Sequence, residues 1–402
     1  MTRQRSVHYY EPQDIVGLAF DPVLDDLLRN EPVARIRLPY GEGEAWLVTR
    51  YHDVKFVTSD PRFSRAAVPG RPVPKMTKHF VPLDRAVSYS DPPEHARVRK
   101  VVAKPFSQAG VERLRPLAQR TAHNLVDALV AGGRPGELVR QVLHPFPTMM
   151  IGTVLGVPAS DWPQMSSWAE TLLSVAADQE AADRAQAIKA QAGEYFRGLA
   201  RQRRERPCED LISVLVAAVD DGALVEEELL ALVSLMQFNG GHTVRTNTST
   251  MVYTLLTRPH LWARLRTEPE VLPRAVEELL RFVPHKSGVG QPRIATEDVE
   301  VGGVLIRSGE VVYVSYVTAN WDSTVYPNPE QVDFDRPEVP HLAFGHGPHY
   351  CMGPGLARME AQVLLSTLVQ RLPELRLAVP AEQLPWLSRS LVRGLVEIPV
   401  TW

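Results

Sequence analysis

Phe344-Gly345-His346-Gly347-Pro348-His349-Tyr350-Cys351-Met352-Gly353 is the stretch on which the reading of this chain turns. One cysteine stands in a glycine-rich turn, and a helical run begins at Gly355. Gly345 and Gly347 permit backbone angles that other residues resist, and Gly353 lets the main chain lie close to a flat ligand. Backbone N–H groups in such a turn can bond a sulfur and tune its basicity. The start of the next helix adds positive potential that favours a thiolate. A lone cysteine is more often a small buried hydrophobe. A thiolate framed in this way, however, suits the axial position of a haem iron, where it pushes electron density onto the metal.

The Phe-Gly-x-Gly-x-His-x-Cys-x-Gly spacing resembles the haem-binding loop of the cytochrome P450 family. The resemblance implies that Cys351 ligates the iron of haem b (iron protoporphyrin IX), with Phe344, Gly345, His349 and Gly353 around it. It also implies a mainly α fold with small β-sheets, a triangular helical prism around a buried haem, formed by residues 1–402 as a single domain.

Composition agrees with an ordinary soluble globular protein: 44% of residues are hydrophobic, 23% charged, and the formal net charge is -3. A nucleic-acid binder would carry a basic excess. Only two cysteines occur, Cys208 and Cys351, too few and too far apart for a disulfide framework. No apolar run suits a signal peptide or a membrane span, so a cytoplasmic protein of the bacterial type is expected. Periodicity marks helices near 114–130, 162–177, 181–202, 226–257 and 359–371. A strand pair is expected over 33–38 and 45–49, with further β pieces near 299–306, 311–317 and 395–400.

The 226–257 helix opens with Glu226, Glu227 and Glu228, which complement a helix N-terminus. Gly240 and Gly241 at its centre each cost about 1 kcal/mol against alanine. Either close helix packing or a local opening of the helix over a ligand accounts for them. Gly240-Gly241-His242 resembles the family's oxygen-binding segment. There an acid and a threonine normally follow, and here the positions read Thr243 and Val244. The acid is absent and the alcohol is displaced or lost, which fits a specialised biosynthetic enzyme. Arg245 invites comparison with peroxide-using members, whose remaining pattern is missing.

Other motifs follow in the family's order. Glu278 and Arg281 match Glu-x-x-Arg and, with Arg336, are implied to support the cysteine loop. His95 and Arg99 stand four apart and share a helix face. With Arg293 and His349 they are the implied partners of the haem propionates. Arg97, Lys100, Lys104 and Arg113 offer a basic face to an acidic ferredoxin, itself served by a ferredoxin reductase. Trp321 stands where the family has arginine, so packing near the cysteine loop is expected to differ.

The implied pocket is walled by 65–87 with Phe80 as part of a lid, by the centre of the long helix, by 286–290 from Lys286, and by 388–393. Its candidate residues are Gln237, Asn239, Val289, Gln291, Ser390, Leu391 and Val392. The expected reaction is oxidation of a small hydrophobic or aromatic natural product. Radical coupling without oxygen insertion is one alternative, and a haem sensor or carrier is another. No nucleic-acid or membrane partner is expected.

Overall fold

The computed structural model describes residues 6–11, 13–78, 86–175, 178–284 and 288–402. Phe80 and Lys286 lie outside them.

The largest sheet is built by β1 (Val7–Tyr9), β2 (Val33–Arg37), β3 (Ala45–Val48), β4 (Phe63–Ser64), β5 (Arg293–Ala295) and β8 (Val311–Val314), in the order β1-β2-β3-β8-β5-β4. A separate hairpin is formed by β6 (Val299–Val301) and β7 (Val304–Ile306), and Gly136–Glu137, Arg376–Leu377 and Pro399–Thr401 form a small three-stranded sheet. The 33–38/45–49 expectation stands: β2 and β3 run antiparallel with Val33 opposite Val48. Their turn needs glycine, because Gly41 has φ +80 and an added Cβ would lie 2.0 Å from the Val73 carbonyl oxygen. Side chains alternate across the pleat. Trp46, Val48, Val312 and Val314 enter one apolar cluster, whereas Ala45, Leu47, Val311 and Tyr313 enter another, so both faces are buried.

Helices make up the rest: α1 (Glu94–Ala103), α2 (Arg115–Ala131), α3 (Pro145–Leu155), α4 (Trp162–Leu173), α5 (Glu226–Leu256), α6 (Leu272–Phe282) and α7 (Pro354–Arg371) carry the site. The largest apolar core lies between α2, α5, α6 and α7, through Val126, Leu255, Leu279 and Leu364. At ~1.5 Å per residue, the 31 residues of α5 span about 46 Å. Its buried threonines stay compatible with a helix because each hydroxyl bonds a carbonyl one turn back. Thr250 Oγ1 donates to Thr246 at 2.9 Å and Thr254 Oγ1 to Thr250 at 2.7 Å.

Three elements are shorter than expected, and α7 is longer, beginning at Pro354 rather than near 359. α4 stops at Leu173, because Ser174 turns away to pair with Ser390. β8 stops at Val314, where Ser315 caps a short helix by accepting the Thr318 N–H. The last strand is Pro399–Thr401, and Leu395 is confined to a bridge with Trp386.

Candidate haem-thiolate site

The 344–353 loop is a sprung turn held at both ends. The Phe344 carbonyl accepts the Cys351 N–H at 2.8 Å, and the Gly347 carbonyl accepts that of Tyr350 at 3.0 Å. Gly345 and Gly347 sit at φ +78 and +74, as the turn demands. A Cβ on Gly347 would fall 2.2 Å from the Thr58 carbonyl oxygen, so this glycine also allows docking on the neighbouring helix. Thr58 Oγ1 bonds His346 Nδ1 at 3.2 Å across the same contact. Cys351 is exposed, three residues before the start of α7, and is not in a disulfide.

Behind the loop, the Glu278 carboxylate receives Arg281 through two hydrogen bonds of 2.8 Å and Arg336 Nε at 3.1 and 3.2 Å. All three side chains are nearly buried. Arg281 and Arg336 spend their other N–H groups on the carbonyls of Asn320, Pro327, Asn328, Pro329 and Gln331. The cluster thus braces the irregular 320–336 segment. Asn320 carries the tie forward, since its Oδ1 accepts the Leu342 N–H at 2.6 Å.

On the other flank, α1 and β5 bring cations together. The His95 and His349 rings lie 4.3 Å apart, and Arg99 donates to the carbonyls of Pro348 at 3.2 Å and Tyr350 at 2.6 Å. Arg293, on β5, is 1% exposed. Arg65, which sequence reasoning missed, joins them from the end of β4. Asp91 holds it there by accepting the Arg65 N–H at 3.0 Å. Burial, reinforced by Arg293, pushes the Arg65 guanidinium down to about 9. Burial, with Arg99 and Arg65, lowers His95 to about 4 and drives His349 far below its usual range. Arg65 Nε, His95 Nε2 and Arg293 Nη2 are buried without a hydrogen-bond partner. So many orphaned nitrogens around crowded positive charge call for an anion with several oxygens. Two carboxylates of a haem meet that demand. Among the described residues no group of three or more His, Cys, Asp or Glu could hold a metal.

α5 decides between the two accounts of its glycine pair. α5 is unbroken through the glycine pair, with no opening. A Cβ on Gly240 would meet Ile151 of α3 at 2.6 Å, so this glycine serves close packing, while Gly241 has ordinary room. Thr243 and Val244 are half-buried. Arg245 turns into the protein and pairs with Glu170 of α4.

The pocket residues do not converge. Gln237 is buried and donates to the Met165 carbonyl at 2.6 Å, which points it at α4. Asn239 is exposed and donates to Leu235 of its own helix. Val289 packs against the apolar cluster of the large sheet, and Gln291 accepts the Tyr89 hydroxyl. Leu391 N–H donates to the Leu173 carbonyl at 2.9 Å. Ser390 and Val392 line a cavity shared with Tyr10, Asp14 and Phe20 of the N-terminal segment.

One further expectation changes. Arg97 leaves the basic face, because it grips the Glu228 carboxylate and the Ala223 carbonyl at the start of α5. Trp321 stacks between Phe20 at 4.7 Å and Phe282 at 5.4 Å, and its neighbour Asn320 accepts the Leu342 N–H just before the cysteine loop. No helix among the described residues is long and apolar enough to cross a membrane.

Residues 147–385 match the family model for cytochrome P450. A biflaviolin synthase of Streptomyces coelicolor is 45% identical over 97% of this chain and 95% of its own length. A nocardicin C N-oxygenase of Nocardia uniformis is also 45% identical, over 100% and 99%. A crystal structure of a P450 with biaryl coupling reactivity superposes with a TM-score of 0.94 at 44% identity, covering 99% of this chain and 100% of that one.

Proposed function

The chain belongs to the cytochrome P450 family as an oxidase of bacterial secondary metabolism, and from that premise we propose that it oxidises a small hydrophobic or aromatic natural product in the cytoplasm, with electrons delivered by a ferredoxin. The observation that carries this reading is the pairing of a cysteine turn with a buried cluster in which Arg65 Nε, His95 Nε2 and Arg293 Nη2 have no hydrogen-bond partner.

Cys351, whose N–H is held by the Phe344 carbonyl, would ligate the iron. His95, Arg99, Arg293, His349 and Arg65 would hold the propionates. Haem bound there would supply oxygen activation and one-electron oxidation. Thr243, half-buried on α5, would supply the hydroxyl for proton transfer, with substrate groups completing the relay. Lys100, Lys104 and Arg113 are exposed and form the basic face for an acidic ferredoxin.

One observation favours a second reading, radical coupling without oxygen insertion. No carboxylate follows the glycine pair, and the nearest acid on the facing helix, Glu170, is committed to Arg245. The resemblance to a biflaviolin synthase and to a biaryl-coupling P450 supports it.

Product mass after ferredoxin-supported turnover separates the two. The panel is indolic and phenolic cyclic dipeptides, phenolic aromatics and macrolides. Gain of one oxygen supports oxygenation. Loss of hydrogens with ring closure or dimer formation supports coupling. A carbonyl complex lacking the thiolate signature rejects Cys351 as the ligand.

A further inference from the structure

Two adjacent glutamates on α6 face different tasks. Glu278 serves the arginine cluster behind the loop, whereas Glu277 reaches the loop itself through Arg358 of α7. The Arg358 fork meets the Glu277 carboxylate squarely, Nε to Oε1 at 2.7 Å and Nη2 to Oε2 at 2.8 Å. So aimed, its guanidinium lies over the Phe344 ring, 4.6 Å from the centroid. Its remaining nitrogen, Nη1, reaches the Tyr350 hydroxyl at 3.4 Å.

Both residues so held belong to the turn that presents the sulfur. Phe344 supplies the carbonyl that accepts the Cys351 N–H, and Tyr350 immediately precedes Cys351. Their rings meet edge to face at 6.3 Å. His341 completes the arrangement: its Nδ1 accepts the Ala343 N–H at 3.2 Å, which leaves Nε2 facing Glu277, also at 3.2 Å. One ion pair on two helices therefore fixes both ends of the cysteine turn, and it places a positive and a negative charge against the turn that presents the sulfur.

We infer that Arg358, aimed by Glu277, is a positioning residue that sets the electron-donor strength of the Cys351 sulfur through Phe344 and Tyr350. The inference rests on the reading of Cys351 as the iron ligand. Reduction of the iron adds negative charge to the iron–thiolate unit. A nearby cation favours the reduced form and a nearby anion disfavours it.

The test is the reduction potential of the holoenzyme in wild type, Glu277→Gln, Arg358→Met and Arg358→Lys, with the ferrous carbonyl spectrum of each. Glu277→Gln leaves the arginine charge uncompensated and is expected to raise the potential. Arg358→Met leaves the glutamate and is expected to lower it. Arg358→Lys keeps the charge but loses the fork that aims it, so its potential is expected to fall between those of wild type and Arg358→Met. Amide hydrogen exchange at Cys351 is expected to quicken in Arg358→Met, in apoprotein as well as holoenzyme.

Loosening of the fold alone would shift the first two variants in the same direction. That result, or unchanged potentials, overturns the inference. A wild-type carbonyl spectrum without the thiolate signature overturns the ligand reading beneath it, and the two failures are told apart by that spectrum.

Discussion

Arg245 of α5 and Glu170 of α4 form an ion pair at 2.5 Å in which the arginine side chain is 8% exposed and the carboxylate 46%. His144, the residue before α3, stands 3.9 Å from the same carboxylate, with its Nε2 at 2.5 Å from Ser166 Oγ. The charge on the central helix thus has its counter-ion on the facing helix, which explains an arginine in the middle of a buried element.

Removing the carboxylate strands that arginine. Glu170→Ala is expected to cost about 2–3 kcal/mol in denaturant unfolding, the usual penalty for a buried charged donor left unpaired. Adding Arg245→Met to the same chain should recover most of the loss. An additive double mutant would show that the pair is not coupled.

The histidines beside this pair predict an acid-side instability. Burial, followed by the Arg245 charge, lowers both His144 and His242 from 6.5 to about 4. The unfolded chain therefore binds protons that the folded chain refuses, so stability falls as pH drops from about 6.5 to about 4 and levels off below. Unfolding free energy measured across that window in wild type and His144→Gln tests this. The variant should lose close to one proton's worth of slope.

Arg65 is expected to hold haem as firmly as the residues visible in the motif. With the Arg65 Nε buried and partnerless, Arg65→Leu removes a charge-assisted bond to a propionate. A loss of about 1.4 kcal/mol corresponds to roughly tenfold faster haem transfer to an acceptor apoprotein. An unchanged transfer rate would remove Arg65 from the propionate site.

The two glycines of α5 should separate under substitution. Gly240→Ala overpacks Ile151, at a cost of about 1–3 kcal/mol that the gain in helix propensity only partly offsets. Gly241→Ala meets nothing closer than 3.7 Å and should stabilise by up to about 1 kcal/mol. Thermal unfolding of the two variants decides it, and equal effects would contradict the packing account.

Patterns confined to one element were readable in the chain alone. The positive-φ glycines before Cys351, the three-residue spacing of Glu278 and Arg281, and the i,i+4 pair His95 and Arg99 all report local geometry, and they led to the family and the cysteine turn. Which distant element faces which is a different matter, because opposing side chains leave no spacing to read. Arg97 meets Glu228 131 positions away, Arg358 meets Glu277 across 81, and Arg65 reaches the cationic cluster only because β4 pairs with β5. The same holds for Gly240, whose reason is the approach of Ile151, and for Gln237, which packing turned toward α4. Local backbone chemistry identified the turn that offers the sulfur, and long-range packing alone decided which charges surround it.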